Sequence, residues 1–262
     1  MNKILFKLYR LPIPWIIRRI VSKLLSFFIF PRKNYEVVLS SDFKKKSNDL
    51  LRNGYVIIDN FLSNQEIDEI LNNLSKFQVF DPWDSAKGYF DPSHPPSGTH
   101  VGYYKKSDLN TISVFDRIIN DPILNSYIST YVGKNFKCTN KASWWTFGNN
   151  ENPQEAELLH RDIDNILWLK IFVYLTDVDI NCGPHVYIPA SHRTNKFLRF
   201  KRFTDLEAQS EFGDLSYFTG KKGTLIIEDT FGLHKGQHIK SNNNRLIFQL
   251  QYSVLNNPLQ TA

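Results

Sequence analysis

The stretch "LLHRDIDNILWLKIFVYL", Leu158–Leu175, decides how the rest of the chain is read. Its second half, from Ile166, is almost wholly apolar and reads as a buried β-strand. Its first half sets a histidine, an arginine and two aspartates at the mouth of that strand. Residues two apart on a strand share a face, so His160 and Asp162 point the same way, one imidazole beside one carboxylate. The pair is either an ordinary hydrogen bond or two-thirds of a metal site. Asp164 lies on the same face by the same period and is the rival carboxylate. Lys170 interrupts the apolar run on the face of Phe172 and Tyr174. A buried unpaired ammonium is costly, so Lys170 either meets an anionic group in a cavity or snorkels at an edge.

Working outward, short strands dominate from Phe136 onward: "KCTNKASWWTF", "NILWLKIFVYLTDV", "PHVYIPAS", "GTLIIEDTF" and "RLIFQLQYSVL". Turn signals separate them, as expected of a sandwich or barrel. The N-terminal half reads differently. "YVIID" is a strand, and "LSNQEIDEILNNLSKF" is a helix with Ser63 and Glu66 spaced as a capping box. Residues 34–53 read as a short polar helix, 80–107 as a long irregular loop, and "TISVFDRIINDPILNSYISTYVG" as helical. Helices first and strands later make an α+β chain with one β core.

The 262 residues suffice for one large domain or two small ones. With 20 Phe, 12 Tyr and 5 Trp, a sizeable core can form. The net charge of +6 belongs to a tail. Residues 1–33 hold eight Lys and Arg and no acid, which leaves 24 basic against 26 acidic residues in the body. That balance excludes a basic nucleic-acid-binding fold, and no nucleic-acid partner is expected. Cys138 and Cys182 match no zinc spacing and allow at most one disulfide, which favours a reducing, cytoplasmic setting.

Within the tail, Arg18, Ser22 and Ser26 recur every four residues, as do Arg19 and Lys23, and together they make one polar stripe on a helix. Ile16, Ile17, Ile20, Val21, Leu24, Phe27 and Phe28 oppose it. Cations in its middle argue against a membrane span. Residues 1–33 are therefore expected to be a basic amphipathic segment, a peripheral anchor on an anionic membrane surface that folding of residues 34–262 does not need. The other reading is a helix packed on the body. The run His192–Phe203 carries five cations, and is either a solvated face or a site for a phosphate-bearing ligand.

Two more elements complete a constellation. "GTLIIEDTFGLHKGQ" is a strand running out to a turn that carries His234, with His238 a weaker substitute. Arg245 opens the final strand, eleven residues after His234. Two histidines and one carboxylate bind ferrous iron and leave positions open for oxygen chemistry. A bidentate arginine suits the distal carboxylate of a co-substrate. H-x-D, a distal His and an Arg eleven residues on, together with "NCGPHVYIPASHR" and "LLRNGYVIIDNFLSNQEIDEI", resemble the phytanoyl-CoA dioxygenase-like family of Fe(II)/2-oxoglutarate-dependent dioxygenases. The resemblance covers roughly residues 45–255.

That resemblance implies a double-stranded β-helix, a jelly-roll core with N-terminal helices packed around it, forming a single domain over residues 34–262. It implies His160, Asp162 and His234 as iron ligands and Arg245 as the 2-oxoglutarate clamp, with Phe172 and Lys170 as further candidates to line that pocket. Phe172 stands where relatives often have Trp, and Ala190 where they have Gly. The implied cofactors are Fe(II), 2-oxoglutarate and O2, with ascorbate a candidate reductant. The implied activity is hydroxylation of an organic substrate with release of succinate and CO2. The basic segments suggest a lipid-linked, glycolipid or otherwise anionic substrate. His94 and His100 are expected as lid or substrate contacts. The competing readings are a vestigial jelly-roll binding protein docked at a membrane, and a membrane scaffold.

Overall fold

The structure, a computed structural model, describes residues 11–29, 40–148, 152–153, 155–198, 201–240 and 243–256. Helices α1 (Trp15–Ile29), α2 (Ser41–Asn53), α3 (Asn64–Leu74), α4 (Lys106–Leu109), α5 (Ser113–Ile119) and α6 (Pro122–Tyr131) precede most of the β core, and α7 (Asp205–Phe212) interrupts it. The strands are β1 (Tyr55–Ile58), β2 (Val79–Phe80), β3 (Tyr89–Phe90), β4 (Val101–Tyr103), β5 (Lys137–Phe147), β6 (Trp168–Tyr174), β7 (His185–Tyr187), β8 (Ser216–Phe218), β9 (Leu225–Glu228), β10 (His234–Gly236) and β11 (Asn244–Ser253).

Eight strands pair antiparallel in the order β1-β9-β6-β11-β5-β4-β2-β3, and β10-β7-β8 form a smaller sheet. The period of two in β6 sorts its side chains between two cores. Leu169, Ile171 and Val173 pack with Ile67, Ile70, Phe115 and Ile128 of the helices. Phe172 and Tyr174 turn the other way and meet Tyr187 and Phe218 of the smaller sheet. The result is the expected α+β double-stranded β-helix with helices on its outer face.

The Ser63–Glu66 capping box forms as its spacing predicts: the Ser63 amide donates to the Glu66 carboxylate at 2.9 Å, and the Glu66 amide donates to Ser63 Oγ at 3.3 Å. The helical stretch from Thr111 breaks in two, because Asp121 accepts from the Leu124 amide at 2.8 Å and Pro122 starts a new helix. The segment read as irregular, residues 80–107, supplies β3 and β4, and β4 extends the large sheet along β5. α7 was not anticipated, although Thr204 and Glu207 form a second capping box at its start.

The amphipathic reading of the tail helix is reversed in orientation. α1 packs on the body through the Arg18–Ser22–Ser26 row of its polar stripe, while Lys23 of the same stripe is exposed. Arg18, Ser22 and Ser26 are buried, while Ile16, Ile17, Ile20, Leu24 and Phe28 are exposed. Arg18 Nε and Nη2 donate to the Ile13 and Leu11 carbonyls, both at 3.1 Å, and Nη1 reaches the Ile166 carbonyl at 3.4 Å. Ser22 Oγ donates to the Val132 carbonyl at 2.7 Å, and the Asn135 amide donates to Ser26 Oγ at 2.7 Å. Trp15 Nε1 donates to the Tyr131 hydroxyl at 3.1 Å. Buried polar groups so bonded make this stripe an interface rather than a wet face. The expectation that folding does not need the segment is therefore at odds with the structure. Residues 1–10 and 30–33 of that segment lie outside the described residues, and no described helix is long and apolar enough to cross a membrane.

Candidate metal centre

His160 and Asp162 do not sit on β6. The chain turns at Asn165, whose side chain accepts from the Ile166 amide at 2.8 Å and donates to the Leu255 carbonyl at 2.8 Å. Residues 159–162 instead run antiparallel to the 230–234 segment. The His160 and His234 amides exchange hydrogen bonds with each other's carbonyls at 3.0 Å, and the Asp162 amide donates to the Thr230 carbonyl at 2.9 Å. This pairing brings the two imidazoles to 4.3 Å between ring centres. Arg161, pointing away from the site, donates to the Ser191, Lys196 and Phe231 carbonyls and fixes three loops to the segment.

His160, Asp162 and His234 converge as expected, with one ligand atom from each lying within 4.8 Å of the others. Each histidine turns Nδ1 to a backbone carbonyl, of Leu158 and of Gly232, both at 2.9 Å. A carbonyl can only accept, so Nδ1 carries the proton and Nε2 keeps its lone pair. Both Nε2 atoms face Asp162, at 3.6 and 3.5 Å from its carboxylate oxygens. Two imidazoles and one carboxylate on one side suit a first-row divalent ion with open positions. Burial, reinforced by His234, lowers His160 to about 3. Burial also acts against charge on His234, but Asp162 outweighs it and raises that pKa.

Lys170 lies in the cavity wall rather than snorkelling at an edge. Its Nζ is 2.6 Å from Asp162 Oδ2 and 3.2 Å from Asp164 Oδ2. Burial opposes the charged form of Asp162, yet Lys170 and His234 hold its carboxyl well below the usual range. Asp164, the rival ligand, stays outside the triad as the second partner of Lys170. His238 is also outside it, on Glu157 at 2.8 Å.

The site opens into a cavity of about 520 Å³, lined by Lys170, Phe172 and Arg245 among others. Arg245 is buried, its Nη1 donates to the Gly183 carbonyl, and its Nε has no partner among the described residues. An orphaned buried guanidinium N–H fits an incoming carboxylate. Phe172 is buried with its ring 4.7 Å from that of His185. His100 lines the cavity, 3.7 Å from Glu157, whereas exposed His94 bonds Ser93 instead. The His192–Phe203 run has ion pairs from Lys196 to Glu211, Lys201 to Glu207 and Arg202 to Glu155, as a solvated face would. Cys138 and Cys182 are both free thiols.

Sequence reasoning missed the buried pair of His185 Nε2 and Glu228 Oε2, 2.7 Å apart, whose imidazole stacks 5.6 Å from His234. The only signal was an acid closing the apolar run "LIIE". It also missed the aromatic wall, where Tyr103 stacks on Trp144 at 5.2 Å and Trp83 packs edge-on to Tyr103.

A jelly roll with a 2-His-1-carboxylate centre beside a buried arginine is the architecture of a mononuclear iron oxygenase. The chain belongs to the phytanoyl-CoA dioxygenase (PhyH) family, whose model matches residues 50–247. Among solved structures it is similar to EctD from S. alaskensis with 2-oxoglutarate and 5-hydroxyectoine, at 20% identity and TM-score 0.59, covering 85% of this chain and 82% of that one. The carbocyclase SnoK from nogalamycin biosynthesis shares 17% identity at TM-score 0.59, with 85% and 87% covered. HygX from Streptomyces hygroscopicus with nickel, 2-oxoglutarate and hygromycin B shares 15% at TM-score 0.55, with 80% and 86% covered. At such identities the likeness is one of fold. No curated protein matches the chain in sequence. Family and triad together support Fe(II)/2-oxoglutarate oxygenase chemistry, with Fe(II), 2-oxoglutarate and O2 as cofactors.

Proposed function

We propose that this chain hydroxylates an organic substrate, with 2-oxoglutarate and O2 converted to succinate and CO2. The observation that carries the reading is the pair of Nε2 atoms held toward Asp162 by the Nδ1 bonds to the Leu158 and Gly232 carbonyls. Fe(II) bound there with 2-oxoglutarate supplies the reduction of O2 that inserts one oxygen atom into a C–H bond. The chain's own part is placement. His160, Asp162 and His234 hold one side of the ion. Lys170 fixes Asp162 through its Oδ2, and Arg245 takes the distal carboxylate of 2-oxoglutarate. Phe172 and the cavity walls keep bulk water from the reacting centre. Ascorbate would be the reductant that keeps a bound iron in its ferrous state.

The walls bear on the substrate. Outside the metal centre and Arg245, the cavity lining includes Asp81, Asp84, Glu155, Glu157, Lys87 and His100, with the aromatic side chains of Trp83, Tyr103 and Trp144. The carboxylates are already paired, Asp81 and Asp84 with Lys87, Glu155 with Arg202 and Glu157 with His238, so it is the aromatic faces that favour a ring-bearing substrate. The test is succinate release from purified, Fe(II)-loaded protein, dependent on both 2-oxoglutarate and O2, with a product one oxygen heavier. Binding of 2-oxoglutarate without turnover across a panel of ring-bearing amines and polyols would favour the vestigial binding protein instead.

A further inference from the structure

We infer that α1 is a built-in membrane-docking face, held rigidly on the body by its polar side and offering its apolar side to an anionic lipid bilayer. An amphipathic helix on a soluble body normally buries its apolar stripe. α1 does the reverse. Ile16, Ile17, Ile20, Leu24 and Phe28 are between 45% and 75% exposed on one side. At 100° per residue they share an arc of about 120°. Trp15, Arg18, Ser22 and Ser26 occupy the opposite side, buried and hydrogen-bonded to Tyr131, Ile166, Val132 and Asn135 of the body. Contiguous exposed apolar side chains of this size mark an interaction surface.

Charge selects the occupant. Residues 1–33 contain no acid, and the sequence flanking α1 carries Lys3, Lys7, Arg10, Arg32 and Lys33. Lys23 is exposed on the helix itself, next to Leu24. A second copy of the chain would bring the same cations against these and repel them. An anionic leaflet attracts them, and its acyl boundary accepts the isoleucines and phenylalanine. The 15 residues of α1 span about 22 Å at 1.5 Å each, short of a bilayer core of roughly 30 Å. The helix therefore lies in the plane of the interface. The proposal is independent of the chemistry at the metal centre.

The test is co-sedimentation of the full chain with phosphatidylcholine vesicles, with and without phosphatidylglycerol. The wild type should bind the anionic vesicles, less tightly as salt rises but still measurably. The doubly substituted Ile20→Glu, Leu24→Glu chain should bind about tenfold more weakly or worse, with its melting temperature unchanged because both side chains are exposed. As a check free of folding risk, Phe28→Trp should gain fluorescence quenchable by lipids brominated in their acyl chains. Failure of the wild type to bind anionic vesicles overturns the proposal, as does equal binding by the double variant. A wild-type dimer in solution that the double variant converts to monomer would assign the face to a second copy instead.

Discussion

Lys170→Met should destabilise the metal-free protein far more than the loss of one lysine on a sheet normally does. Lys170 Nζ sits between two carboxylates, 2.6 Å from Asp162 and 3.2 Å from Asp164. Removing one partner of a buried ion pair costs about 3–5 kcal/mol, because the remaining charge is left without compensation. The side chains keep 14%, 17% and 22% exposure toward the cavity, which moves the expectation to the low end, about 3 kcal/mol. In a chain of this size each kcal/mol is worth about 2–4 °C, so the melting temperature should fall by about 6–12 °C at pH 7. The Asp162 carboxyl lies below its unfolded value. Its stabilisation is therefore present above the unfolded pKa and is lost as pH falls through the folded one. The gap between wild type and variant should accordingly narrow in acid. A bound divalent ion supplies the missing positive charge beside Asp162, so nickel should restore most of the loss. Calorimetry of both proteins, with and without nickel, reads all three effects. A metal-free variant melting within about 2 °C of wild type, under 1 kcal/mol on the same scale, would show that the ammonium contributes nothing net.

Arg245→Ala should raise the dissociation constant for 2-oxoglutarate by about thirtyfold or more, since losing one side of a buried charged pair costs about 2–5 kcal/mol, while metal binding measured by titration stays near wild type. Asp229 is buried beneath α1 and accepts from the Tyr131 hydroxyl and the Phe231 amide; burial raises its carboxyl to about 6. An acid whose folded pKa exceeds its unfolded one costs stability as pH rises from about 4 to 6, here about 3 kcal/mol. Wild type should thus lose that much relative to Asp229→Asn over the interval, and parallel stability–pH curves would contradict it. A chain beginning at Asn34 should melt well below the full-length protein, because the Val132 carbonyl, the Asn135 amide and the Tyr131 hydroxyl each lose a partner at about 1–3 kcal/mol per buried group; an unchanged melting temperature would refute the buried interface described for α1.

The parts of the fold legible in the sequence were those set by near neighbours. The alternation through Leu169–Val173 sorts the two cores without knowledge of anything distant, and Ser63 and Glu66 are three residues apart. H-x-D was legible because pairing with the 230–234 segment preserves the two-residue period. The turn at Asn165 was not, because it depends on the Leu255 carbonyl ninety residues on. Lys170 announced a polar cavity wall, but its partner proved to be the ligand carboxylate itself. The orientation of α1 ran against its own amphipathicity, because its stripe answers to Val132, Asn135 and Ile166, more than a hundred residues away. Ala190 adopts φ 63° where the family resemblance has Gly, so the departure noted in the sequence is a left-handed turn that the chain tolerates with a Cβ.

Those long separations have a consequence for how the molecule comes into being. α1 leaves the ribosome ahead of its hydrogen-bonding partners on the body, which follow 109 to 148 residues later. At about 5–20 residues per second, the helix spends roughly five to thirty seconds as a nascent segment before its polar stripe has anything to bind. Throughout that interval its apolar side is already complete. The apolar side of α1 is therefore translated well before the segments that anchor its polar side to the body.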